Sequence, residues 1–119
     1  MVLLTRYALI LALLLLQTSD AAAEQILHIK YRTTTVDVDR PYFEYLDTSK
    51  SSWVRGAWYD SANKYMVINL KGTNYHYCGL SERTWNLFKG AASFGSTYVS
   101  AIKGNFDCRI NPVPSYPGK

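Results

Sequence analysis

The stretch MVINLKGTNYHYC (Met66–Cys78) reads as a β-hairpin. Met66, Ile68 and Leu70 alternate with Val67, Asn69 and Lys71, the period-two pattern of a half-buried strand. Gly72-Thr73 is a Gly-X pair that closes a two-residue loop, and Tyr75-His76-Tyr77-Cys78 returns as the partner strand. With that loop, Leu70 pairs with Tyr75 and Ile68 with Tyr77. Cross-strand partners share a face, so the tyrosines join Met66, Ile68 and Leu70 on the core side while His76 and Cys78 point the other way. A three-residue loop would invert every one of these assignments. The face taken by Tyr75 and Tyr77 is therefore the first thing a structure must decide.

Outward from the hairpin, Trp53–Tyr59 reads as a preceding strand with Gly56 marking a bulge. Asp60-Ser61-Ala62-Asn63 has turn chemistry. After the hairpin the period changes. Ser81 is a suitable N-cap, Glu82 sits in the first turn, and Trp85 and Phe88 share a face, which predicts an amphipathic helix over Glu82–Lys89. Tyr98, Ala101 and Ile102 predict a second short helix closed by Gly104, and Phe106–Ile110 a last strand. Upstream, ILHIKYRTTTVDV (Ile26–Val38) is rich in β-branched residues and supplies one or two extended segments, stopped at Arg40-Pro41. The expected fold is α+β, a small antiparallel sheet of three or more strands with two short helices on one face. Residues 24–50 form an N-terminal extended segment, 51–110 the domain, and the proline-rich 111–119 a mobile tail.

Residues 1–23 read as an export signal. Arg6 gives a positive start, Tyr7–Leu16 an apolar run of about ten residues, and Ala21-Ala22-Ala23 a cleavage site, which puts the mature start at Glu24. The run falls short of the roughly 20 residues of a membrane span, so cleavage is favoured over an anchor and no stable span is expected afterwards. The expected destination is the periplasm or the medium of a bacterium.

The 119 residues carry 13 Lys and Arg against 9 Asp and Glu, a formal charge of +4. The excess lies after residue 50, where Asp60, Glu82 and Asp107 are the only acids. A basic half favours an anionic partner, yet no Lys/Arg cluster is dense enough to form a focused patch. The 2 cysteines, Cys78 and Cys108, favour one disulfide in an oxidising compartment; two free thiols and a metal site with His76 are the alternatives. The metal reading is short of donors, since His28 is the other histidine and a closed site takes four ligands. No metal and no cofactor are expected.

Ser51-Ser52 opening a strand, the triplet Tyr75-His76-Tyr77, and AASFGSTYVSAIKGNFDC (Ala91–Cys108) together resemble the KTSC domain. That module is named for its place at the C-terminus of some lysyl-tRNA synthetases, and it also occurs as a lone bacterial domain with a Y-x-Y centre. The resemblance covers Ser51–Cys108, and VDVDRPYFEY (Val36–Tyr45) resembles the lead-in of an exported single-domain branch. Exported members often carry cysteines where this chain has Tyr45 and Trp58. Their joint absence fits two residues that partner each other, and implies that Cys78 and Cys108 form the remaining pair. The family is described as of unknown function, with RNA binding inferred from its attachment to a synthetase.

Function is constrained mainly by exclusion. The chain has no G-x-S-x-G, no H-E-x-x-H and no glycine-rich phosphate loop, and a Cys78 nucleophile would have to be free of Cys108, so no catalytic residues are assigned. The expectation is a small exported non-catalytic binding or accessory domain, its partner unknown, with an envelope protein or an anionic ligand as the open classes. Trp53 or Trp58 with Arg55 would offer a contact face. The alternative is single-stranded RNA or other nucleic acid, stacked on Tyr75 and Tyr77 and flanked by Lys71, Lys64, Arg55 and Arg83.

Overall fold

The alternation read in Met66–Leu70 positions the sheet. In the computed structural model, which describes residues 25–39 and 41–116, four antiparallel strands follow in chain order: β3 (Glu44–Leu46), β4 (Val54–Asp60), β5 (Tyr65–Leu70) and β6 (Thr73–Cys78). Upstream, β1 (Ile26–Leu27) and β2 (Val36–Asp37) make a separate two-stranded ribbon. The expected export signal lies outside the described residues. Among the described residues no helix is long and apolar enough to cross a membrane.

The hairpin loop is Lys71-Gly72, one residue earlier than the Gly-X reading predicts. Both residues take positive φ, 53° and 96°, as a turn with two left-handed central residues requires. Asn69 fixes it: its Oδ1 accepts from Gly72 N–H at 2.9 Å, and its Nδ2 donates to Asn74 Oδ1 at 2.8 Å. Ile68 therefore pairs with Tyr75 and Met66 with Tyr77. The register differs from expectation by two residues, and a slip of two preserves faces. Tyr75 and Tyr77 lie with Met66 and Ile68 on the helix side, while Cys78 joins Tyr65 and Val67 on the other.

On the helix side, α1 (Glu82–Lys89) begins at Ser81, whose side chain accepts from Thr84 N–H, and buries Trp85 and Phe88. Next comes α2 (Phe94–Thr97), capped by Ser93; it runs into a single π turn over Tyr98–Ile102, closed by Lys103 N–H to Tyr98 O at 2.8 Å. These elements pack over Val54, Ala57, Tyr59, Met66 and Ile68. The ring of Trp85 stacks on Tyr59 at 5.0 Å.

The opposite face is covered as well, so β5 is buried on both sides and not half-buried as expected. Ile29, Val36, Val38 and Phe43 cross it and bury Trp58, Tyr65, Val67 and Cys78. Trp58 is thus a core residue, and Trp53 packs edge-on against Tyr98, so neither tryptophan forms the contact face expected with the exposed Arg55. Tyr45 and Trp58 are cross-strand partners with rings 5.5 Å apart. An aromatic contact stands at the two positions discussed above for paired cysteines.

Upstream residues also complete the sheet. Buried Thr48 pins the bulge in β4: its hydroxyl donates to Val54 O and accepts from Gly56 N–H, both at 2.7 Å. At φ 112° Gly56 occupies a conformation that side-chain-bearing residues avoid. The proline-rich end, expected to be mobile, makes specific contacts as far as Tyr116, whose hydroxyl donates to buried Asp60 at 2.8 Å and whose ring stacks on Tyr42. Phe106–Ile110 is not a strand. Asp107 organises it as a turn, accepting Arg109 N–H on its carboxylate and the N–H groups of Ile110 and Asn111 on its carbonyl.

A cleft at the outer edge of β6

β6 is the edge of the sheet, and its outer rim is covered at two points. Lys30 N–H donates to Asn74 O, and Cys78 N–H donates to Phe106 O, each at 2.8 Å. Main-chain groups of alternate residues in a strand point the same way. The N–H and C=O of His76, midway between those two residues, therefore also face outward, and they have no hydrogen-bond partner among the described residues. A cleft of about 590 Å³ opens at this place, within the range of small-ligand sites. Its walls are Tyr31, Tyr75, His76 and Tyr77 on one side and the turn from Gly104 to Arg109, with Val113, on the other.

The cleft is aromatic and polar, and burial favours the neutral forms of His76 and Tyr77. Tyr77 and Tyr98 share a hydrogen bond between their hydroxyls, and burial pushes both phenols above the ordinary value. His76 Nδ1 bonds to the Tyr65 hydroxyl at 2.8 Å, and Arg32 Nη1 donates to that same hydroxyl at 3.3 Å. Burial, then the Arg32 charge, lowers the His76 pKa, and burial drives the Tyr65 phenol up to about 12. Two cations stand at the rim. Lys30 Nζ lies 5.2 Å from the Tyr31 ring centre and 5.6 Å from that of Tyr75. Arg109 is tied to Asp107, with Nη2 to Oδ2 at 2.7 Å, which holds that carboxyl below the usual range. Tyr31 itself is 83% exposed at φ 68°, a strained conformation for a tyrosine and of a kind that gathers at binding sites.

The structure brings only part of the sequence-derived set together. Tyr75 and Tyr77 line the cleft, half-buried. Lys71 sits in the β5–β6 turn and Arg55 near the same end of the sheet, whereas Lys64 lies at the far end of β5, about 20 Å away by strand rise. Arg83 is on the exposed side of α1. None of these four lines the cleft. The cations that do approach it, Lys30 and Arg109, were missed because they come from distant segments. The positive φ of Tyr31 has no signature in its neighbours either.

Cys78 and Cys108 form a disulfide across a sequence separation of 30. Cys78 is fully buried and Cys108 half-buried on the cleft wall. In this bonded form neither sulfur is a nucleophile or a metal ligand.

A four-strand antiparallel meander with its helices on one face, and a cleft on its last strand beside a Y-x-Y centre, define a small α+β domain with an edge-strand cleft. By sequence, residues 50–106 of the chain match the family model of the KTSC domain. The match begins after β3, so β1 to β3 and the docked C-terminal residues lie outside it. No curated protein and no solved structure matches the chain.

Proposed function

We propose that this protein is an exported, non-catalytic binding domain whose ligand occupies the cleft along β6. The observation that carries this reading is the coincidence of three features at one place. The unpaired main chain of His76, the two tyrosines of the Y-x-Y centre and the strained, exposed Tyr31 all meet in a cleft of ligand size. Neutral phenols and a neutral imidazole offer hydrogen bonds and flat apolar faces without a large desolvation cost, which suits recognition by shape and polar contact. An envelope protein presenting an extended segment is the favoured partner class. The test is a pull-down from nuclease-treated envelope extract with wild type and with Tyr31→Ala, which removes an exposed ring and leaves both cores alone. A partner retained by wild type and lost by the variant supports the reading; equal retention refutes it.

The second reading, single-stranded nucleic acid, draws its support from Lys30, whose ammonium lies over both Tyr31 and Tyr75. Rings with an adjacent cation are the elements of base stacking. Salt-dependent retention on single-stranded RNA, weakened by Tyr75→Ala with the fold intact, would favour it.

A further inference from the structure

The wall of the cleft also holds a donor cluster. One imidazole nitrogen of His76 and the sulfurs of Cys78 and Cys108 all lie within 4.8 Å of one another. We propose that opening the Cys78–Cys108 bond converts this wall into a three-ligand site for a thiophilic divalent cation of the zinc type.

The reaction balances with a named reductant. A dithiol passes two electrons and two protons to the bond and becomes a disulfide itself, leaving two thiols on the protein. A tertiary phosphine does the same with one water, which supplies the oxygen of the phosphine oxide and the two protons. The cation then displaces one proton from each thiol. Access runs through Cys108, which is half-buried on the cleft wall, while Cys78 is sealed in the core.

Geometry favours the closed site once the bond is open. With Zn–S near 2.3 Å and Zn–N near 2.0 Å, tetrahedral ligand atoms stand about 3.3–3.8 Å apart. The nitrogen–sulfur separations, at most 4.8 Å, close by about 1 Å, and the sulfurs part from bonding distance by about 1.7 Å, so shifts of about 1–2 Å suffice. Cys108 is free to make that shift, because it sits in the turn organised by Asp107 and not in a ladder. Cys78 stays fixed in β6. Tyr65 holds Nδ1 of the imidazole at 2.8 Å; with the cation on Nε2, Nδ1–H donates to that hydroxyl, the arrangement in which a second hydrogen bond fixes a metal-binding histidine. Charge also closes. A divalent cation on two thiolates and a neutral imidazole has zero net charge, which spares the buried Cys78 thiolate from standing alone in an apolar core. The cation would close the same loop that the disulfide closes.

The purified protein is reduced with a water-soluble phosphine, the two thiols are titrated, and excess reagent is removed. Cobalt(II) then serves as a spectroscopic probe, displaced by zinc(II). The expected result is a thiolate-to-cobalt charge-transfer band saturating at one cation per chain, absent from the oxidised protein. His76→Ala, with both thiols intact, should bind zinc(II) at least about 10-fold more weakly. If the reduced protein loses its native far-ultraviolet circular dichroism, zinc(II) should restore it in wild type and not in His76→Ala. No band in the reduced protein, a titration unchanged by His76→Ala, or a lost fold that zinc(II) does not restore would each overturn the proposal.

Discussion

Replacing Gly95 by alanine sets a local preference against a tertiary contact. Gly95 lies inside α2, where alanine is the better helix former by up to about 1 kcal/mol. The added Cβ, however, would stand 2.5 Å from Trp53 Cζ2 and 2.6 Å from both Cε2 and Nε1. Ordinary contact begins near 3.4 Å, so the indole must retreat by about 1 Å. It has little room to do so, being packed edge-on against Tyr98 with ring centres 5.9 Å apart. Overpacking of this kind costs about 1–3 kcal/mol, and the ring is rigid, so the upper part of that range applies. After the helix gain is subtracted, Gly95→Ala should destabilise by about 1.5–2 kcal/mol. In urea, with a slope near 1 kcal/mol/M for a chain this small, the midpoint should fall by about 1.5–2 M. Gly90→Ala is the control: its Cβ meets nothing nearer than Asn86 O at 3.6 Å, and its midpoint should move by less than about 0.5 M. Trp53→Leu should relieve most of the Gly95→Ala cost in a double-mutant cycle. A Gly95→Ala protein as stable as wild type, or a cost unchanged by Trp53→Leu, would refute the steric argument.

Three further outcomes are expected. Cys108→Ser opens a loop with a sequence separation of 30, worth about 3–4 kcal/mol in the chain-entropy model, and should lower the melting temperature by about 15–25 °C; calorimetry showing a drop under about 5 °C would contradict this. His76 has a folded pKa below the unfolded value of about 6.5, so its contribution to stability is complete above that pH and is lost as pH falls through the folded value. Urea midpoints compared between pH 7 and pH 5 should therefore drop more for wild type than for His76→Gln, and equal drops would exclude the linkage. Tyr116→Phe removes the 2.8 Å hydrogen bond to the buried Asp60 carboxylate and should cost about 1–2 kcal/mol by chemical denaturation; a loss below about 0.3 kcal/mol would mean that the C-terminal residues are not held there.

Much of the fold was legible because its local signals agree. Ser81, Glu82, Trp85 and Phe88 specify cap, first turn and buried stripe of one helix, and α1 spans the predicted Glu82–Lys89. The alternation of Met66, Ile68 and Leu70 placed the tyrosines on the helix side even though the loop lies one residue earlier, because faces survive a two-residue slip. Phe106–Ile110 misled because its apolar character is that of a strand, whereas Asp107 offers its own carboxylate and carbonyl to the following amides and curls the segment instead.

The candidate site was legible only in part. Its tyrosines stood out as a local triplet. The rest of it, Lys30, Tyr31 and Arg109, is assembled from segments 40 or more residues apart in sequence, or from a turn read as a strand. The separation of Tyr75 from Lys64 and Arg83 could not be read either, since charge composition carries no direction in space.

By itself the sequence determined the short-range elements: the strands from their period of two and the helix from its cap and stripe. Those choices are decided within a few residues by backbone sterics and side-chain alternation. Only the tertiary structure decided that both faces of the sheet are covered and that a cleft opens on the rim of β6 beside His76. Those outcomes depend on where β1, β2 and the residues up to Tyr116 come to rest, and that is set by burial of Trp58, Tyr65 and Val67 against partners remote along the chain.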